Sequence, residues 1–155
     1  MSLDEIDSKV IASLMHQGRI TWSELASLLE LSAPAAADRV RRLEDRNVIQ
    51  GYTARINPEA VGCDLLAFIT VSLERPQHRV EFLQMIQAMP EVQECHHVTG
   101  EDDFWLKVRC RNTKALEHLI TDQLKNIVGV SKTRTTIVLS TLKETSALPL
   151  SPQQN

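Results

Sequence analysis

Four arginines, Arg39, Arg41, Arg42 and Arg46, crowd one short segment with apolar residues at helical spacing. A guanidinium donates in a planar fork that suits phosphate oxygens and the O6/N7 edge of guanine. A helix carrying several of them has the chemistry to approach a duplex. A second group, Gly100-Glu101-Asp102-Asp103-Phe104, gathers three carboxylates behind a glycine. Such a turn suits a cation or an ammonium group, or is simply an exposed polar hairpin. A third group, Cys95-His96-His97, has metal-ligand residue types. On a strand Cys95 and His97 face one way and His96 the other, so the three do not converge on one ion from one chain. No hydrolase elbow, phosphate-binding glycine loop or zinc-binding helix motif is present.

The arginines need a helix, and the preceding residues spell its context. Ser2 and Glu5 have capping-box spacing, followed at helical period by Leu3, Ile6, Val10, Ile11 and Leu14, with Gly18 as a stop. Thr21 and Glu24 repeat the capping box before Leu25, Leu28 and Leu29. A tight turn through Leu31 leads to Ser32, an N-cap type, with Pro34 in the first turn. The third helix then buries Ala36, Val40 and Leu43. Two capped helices before an Arg-bearing helix make a helix-turn-helix, whose last helix fits a major groove. By helical spacing Arg39, Arg42 and Arg46 share one side and Arg41 sits apart. Arg39 is the candidate for base edges, and Arg42 and Arg46 for phosphate. Ser32 caps the helix and can also donate to phosphate. Short side chains at Ala35 and Ala36 would let the helix sit deep and touch thymine methyls.

Composition sets limits on that reading. The chain has 155 residues, 43% of them hydrophobic, and a formal net charge of −3. It is not a bulk polycation, and residues 1–62 hold seven Lys+Arg against nine Asp+Glu. Nucleic-acid affinity must therefore come from a local patch. Cys63, Cys95 and Cys110 are odd in number and lack CxxC spacing, which reads as reduced thiols in a cytoplasm. The acidic MSLDEIDSKV start lacks the apolar run of a signal peptide. No apolar run approaches the roughly 20 residues that span a bilayer.

Residues 49–64 read as an extended strand and linker. Val48 to Ile56 is rich in β-formers, and Asn57-Pro58 and Gly62 punctuate it. Residues 65–142 follow a different rhythm. Leu65, Ala67, Ile69, Val71 and Leu73 alternate as a strand. Pro76 to Met89 reads as a helix, Val92–Thr99 and Phe104–Arg111 as strands, Asn112 or Thr113 as a cap, and Val130–Leu142 as a last strand after Gly129. The order βαββαβ is the ferredoxin-like pattern. Leu66, Phe68, Cys95 and Trp105 fall at positions for the sheet face away from the helices, which implies a second layer, most simply another copy of the chain. Residues 143–155 form a tail whose Leu148-Pro149-Leu150 could pack on a neighbour.

The chain to Leu150 resembles the Lrp/AsnC transcription regulators of bacteria and archaea. Four segments carry the resemblance: LDEIDSKVIASL, LSAPAAADRVRRLEDRNVIQGY, PEVQECHHVTGEDDFWLKV and GVSKTRTTIVLSTLKETSALPL. The resemblance implies an α+β protein, with an N-terminal winged helix-turn-helix (residues 1–48) joined by a strand-like linker (49–64) to a C-terminal ferredoxin-like βαββαβ domain (65–142) for ligand sensing and oligomerisation, then the tail (143–155). It implies double-stranded DNA as partner and a homodimer that assembles further to an octamer. It also implies an amino-acid effector held between dimers, and no cofactor. Gly100, Glu101, Asp102 and Asp103 would hold that effector, with Asp103 on its ammonium group. Thr133, Arg134 and Thr135 would supply donors for its carboxylate. The family's turn commonly reads Gly-Asp-Tyr-Asp-Tyr; here Gly100 and Asp103 are kept and Asp102 replaces a tyrosine. Two alternatives share the fold. One is a siroheme decarboxylase-like enzyme, whose histidine and Tyr-Asn-Leu-Trp stretch is absent here. The other is an amino-acid-binding assembly protein without DNA affinity.

Overall fold

The computed structural model describes residues 3–150. They form two units: residues 3–55 together with 143–150, and residues 56–142.

In the first unit three helices close on one core. They are α1 (Glu5–His16), α2 (Trp22–Leu29) and α3 (Ala33–Asp45). Val10, Leu25, Ala26, Leu29, Ala36, Val40 and Leu43 fill the centre, as helical spacing of those residues requires. The cap of α1 is not the expected pair. Asp4 accepts from Asp7 N–H at 2.7 Å while Asp7 accepts from Asp4 N–H at 3.3 Å, so this box lies further along the chain than the Ser2–Glu5 pair. Ser2 lies outside the described residues. Carboxylates make stronger charge-assisted caps than a hydroxyl, and they favour the positive end of the helix. The α2 box is the expected one, with Thr21 N–H donating to Glu24 at 2.8 Å and Glu24 N–H to Thr21 Oγ1 at 3.2 Å. Ser32 caps α3 by accepting from Ala35 N–H.

The expected strand across 49–64 is absent. Residues 49–57 are irregular, and one 3-10 turn occupies Glu59–Val61. A strand needs a ladder partner, and here the backbone finds other ones. Val48 and Ile49 N–H groups both return to Leu43 O, closing the end of α3 after Asn47 takes a left-handed φ of 55°. Among the described residues the helix-turn-helix therefore carries no β wing. The tail meets α1 within its own unit, where Leu148 N–H reaches Met15 Sδ at 3.3 Å.

Tyr52 fastens the irregular segment to α3, its hydroxyl donating to Glu44 at 2.8 Å. Burial of the ring, and then the Glu44 carboxylate, push this phenol up to about 12. It is the single tyrosine of the chain, so the prediction is clean. Tyrosinate absorbance should rise with a midpoint near 12, and Glu44→Gln should lower that midpoint toward the ordinary value of about 10. A raised folded value means the contact stabilises fully below about pH 10 and is lost as pH climbs through about 12.

The second unit is a four-stranded antiparallel sheet in the order β2-β3-β1-β4, with helices on one face. The strands are β1 (Leu65–Leu73), β2 (Val92–His97), β3 (Phe104–Cys110) and β4 (Val130–Ile137). The helices are α4 (Arg79–Gln87) and α5 (Thr113–His118), the latter running on through a π turn at Leu119–Gln123 and a 3-10 turn at Leu124–Asn126. The βαββαβ order is the predicted one. Ala67, Ile69, Val71, Leu106 and Val108 face the helices and are fully buried with Phe82 and Leu124. One expectation is overturned. Cys95 pairs in register with Leu106 and packs against this core, on the helix side rather than the outer face. A register irregularity between Val92 and Glu94 sets that parity. The outer face carries Leu66, Phe68 and Trp105, flanked by Thr70, Arg134 and Lys107.

Candidate DNA-binding and effector sites

The four arginines of α3 do two different jobs. Arg39 does not face outward. Its guanidinium makes an ion pair with Asp4 and another with Asp7 at 3.1 Å, and Arg46 approaches the second carboxylate oxygen of Asp7 at 3.8 Å. Asp7 is 5% exposed, so this is an internal tie between α1 and α3. Arg39 lies three residues after buried Ala36, and Arg46 three after buried Leu43, which turns both toward the core boundary. Arg39 is thus removed from the base-reading position expected of it. Ala36 is fully buried and touches no groove. Ala35 is partly exposed at the start of the helix, beside the exposed cap Ser32.

Arg41 and Arg42 are the exposed pair, with about two thirds of each side chain open to solvent. Both lean on Asp38, Arg42 Nη2 at 2.6 Å and Arg41 Nη1 at 3.9 Å. Asp38 sits two residues from both Ala36 and Val40, and so points away from the core. The outward face of α3 is therefore one carboxylate between two guanidiniums. Spacing from the buried residues was the signal for this face; counting the arginines against one another hid it.

The acidic turn is also divided. Asp102 is buried, accepting from Ser72 Oγ at 3.1 Å and from Arg134 Nη2 at 2.6 Å. Burial raises this carboxyl, but the neighbouring Ser72 and Thr70 hydroxyls and Arg134 outweigh it and hold it below the ordinary range. Thr70 Oγ1 is itself buried and completes no hydrogen bond of good geometry. Asp103 accepts from Leu73 N–H at 2.7 Å, where the β1–β4 register shifts and the ladder leaves that donor free. Its backbone ties Val98 and Val71 together as well. Asp103 is thus a turn anchor with one oxygen committed, rather than an open carboxylate. Gly100 and Glu101 are exposed, with Gly100 at φ 126°. Of the β4 trio, Arg134 joins Asp102 on the outer face, while Thr133 and Thr135 pair with Val71 and Ile69 and so share the helix side. The expected effector set is split across two faces of the sheet.

A helix-turn-helix with an outward Arg pair, joined to a separate ferredoxin-like unit with a polar cluster at one hairpin, defines a two-part regulator: one part for a duplex and one for a signal. Comparison with known proteins narrows the class. Residues 3–44 match the AsnC-type helix-turn-helix domain and residues 66–148 the Lrp/AsnC ligand binding domain. The chain is 42% identical over 140 residues to the HTH-type transcriptional regulator LrpA of Mycobacterium tuberculosis, covering 90% of this chain and 92% of that one. In structure it is similar to a Neisseria meningitidis transcriptional regulator in complex with L-Met, at TM-score 0.92 and 34% identity over 96% of this chain and 97% of that one. It is also similar to a feast or famine regulatory protein from M. tuberculosis complexed with L-methionine, at TM-score 0.88 and 40% identity over 95% and 99%. The chain belongs to the Lrp/AsnC family of transcription regulators.

Proposed function

We propose that this regulator binds double-stranded DNA through Arg41 and Arg42 of α3, with Ser32 and Ala35 beside them. The observation that carries the reading is the exposed Arg pair on the outward face of a capped helix-turn-helix. Arg39 and Arg46 support it indirectly, by fixing α3 on α1. Arg41→Ala should weaken binding to all duplexes and lower the slope of log affinity against log salt by about one, as for one lost phosphate contact. Anisotropy titrations over a salt series measure both. A slope and affinity equal to wild type would remove Arg41 from the interface.

The exposed Phe68 and Trp105 on the outer sheet face support self-association of the 65–142 unit, with residues 1–48 as the DNA-binding unit. A dimer would present two recognition helices to a roughly palindromic site. Assembly to an octamer extends the same reading, and a cytoplasmic regulator that is not an enzyme is its consequence.

An α-amino acid is the proposed effector, because two structural relatives hold L-methionine. The site would use Gly100 and Glu101, the free Asp103 oxygen, and the Asp102–Arg134 pair. An effector regulates only through different affinities for two states of the protein. Calorimetry with L-methionine and a panel of common amino acids tests this directly. Asp103→Asn should weaken whichever one binds by about tenfold, the scale of a lost charge-assisted bond. Equal binding by wild type and variant would clear Asp103 of the role.

A further inference from the structure

The carboxylate between the two exposed arginines is out of place on a helix that approaches phosphate. Asp38 faces outward, is nearly half exposed, and would repel a polyanion. Its geometry suggests another use. The Arg42 and Asp38 heads meet at 2.6 Å, four residues apart on one side of the helix. In the major groove a G·C pair presents guanine N7 and O6 as acceptors and, next to them, one cytosine N4–H donor. O6 and N4 are about 2.9 Å apart, being partners in a Watson–Crick hydrogen bond of ordinary N–H···O length. A guanidinium and a carboxylate held side by side offer two donors and an acceptor in the same order and at the same spacing. We propose that Asp38 is a specificity-determining residue that reads cytosine N4 while Arg42 reads the paired guanine, so that the ion pair recognises one G·C base pair per half-site.

The proposal rests on the DNA-binding reading above. It also accounts for the mixed charge of the recognition face. An Arg pair alone would grip any sequence. The acidic partner lowers affinity for every wrong sequence and returns it only where a cytosine amino group replaces the lost partner water, a case of specificity through an unfavourable contact. Arg41, 3.9 Å from the other Asp38 oxygen, stays available for phosphate.

The test begins with selection from randomised duplexes by full-length wild type and Asp38→Ala. Wild type should recover sites with one invariant G·C pair per half-site. Asp38→Ala should bind random DNA several-fold more tightly and show weaker preference at that pair. The second step replaces the selected cytosine by N4-methylcytosine, which keeps pairing but puts a methyl where the groove-facing N4–H was. Wild-type affinity should fall about tenfold or more, the lower part of the range for a good base contact. Affinity of Asp38→Ala should not change. Identical selected sites for the two proteins, or equal wild-type affinity for methylated and plain sites, would overturn the role of Asp38 and leave DNA binding intact. Absence of any duplex binding by wild type would overturn the DNA-binding reading and this proposal with it.

Discussion

Asp7→Ala is expected to destabilise the N-terminal helical unit by about 3 kcal/mol, more than any other single change among its charged residues. Breaking a buried ion pair by removing one partner costs on that scale, because the charge left behind has lost both water and its counterion. Asp7 is 5% exposed and serves three contacts at once: the Asp4 N–H of the capping box, the Arg39 guanidinium and the Arg46 guanidinium. Arg39 keeps Asp4 as an acceptor after the change, which holds the loss near the lower end. Asp4→Ala should cost less, since Asp4 is half exposed and solvent screens its pair. Urea unfolding followed by helical ellipticity measures both variants. DNA affinity should fall with the folded fraction in each, and recover where the unit is refolded by cooling or osmolyte. An Asp7→Ala variant within 0.5 kcal/mol of wild type, on the order of an ordinary surface substitution, would show that the two arginines do not depend on it.

Gly129→Ala is expected to destabilise the C-terminal unit by about 3 kcal/mol or more. Two costs add. Gly129 has φ +86°, a left-handed conformation that charges an L side chain roughly 1–2 kcal/mol. A Cβ there would also lie 2.0 Å from His78 Nδ1 and 2.4 Å from His78 Cβ, so the ring must move. Turning the ring does not clear the clash, because His78 Cβ is part of it and moves only with the backbone. The position matters for function because this turn delivers β4. Gly129 O accepts from Glu74 N–H at 2.8 Å at the end of β1, and the strand that follows carries Arg134 to Asp102. A double-variant cycle separates the costs. Pairing His78→Gly with Gly129→Ala removes every His78 side-chain atom from the clash and should leave about the backbone part, a coupling of 1 kcal/mol or more. Additive effects of the two substitutions would show that the ring yields freely and that backbone strain alone acts.

The amino-acid sequence by itself determined the order of the helices and of the four sheet strands, the α2 and α3 caps, the family, and much of each core, though Leu28, at a core spacing in α2, is exposed. These are local quantities. Helical and strand periods select the buried side chains of one element, and cap chemistry acts within one turn, so Thr21–Glu24 and Ser32 appear in the structure as their spacing implies. What the tertiary structure alone decided is which charges are spent on holding the protein together. Arg39 and Arg41 are equally cationic and two residues apart, yet one is fastened to α1 by Asp4 and Asp7, 32 or more residues away, and the other is open. Asp102 and Asp103 are adjacent in a run of acids, yet one closes on Arg134 and the other on the backbone of Leu73. The face of Cys95 was set by an irregular register with β3, and the missing wing by the want of a partner strand. In each case the deciding partner lies on another element. A hydrogen bond needs heavy atoms within roughly 3.5 Å, and salt screens exposed charges beyond about 10 Å, so a partner's identity is written in the packing of elements and not in the spacing along any one of them.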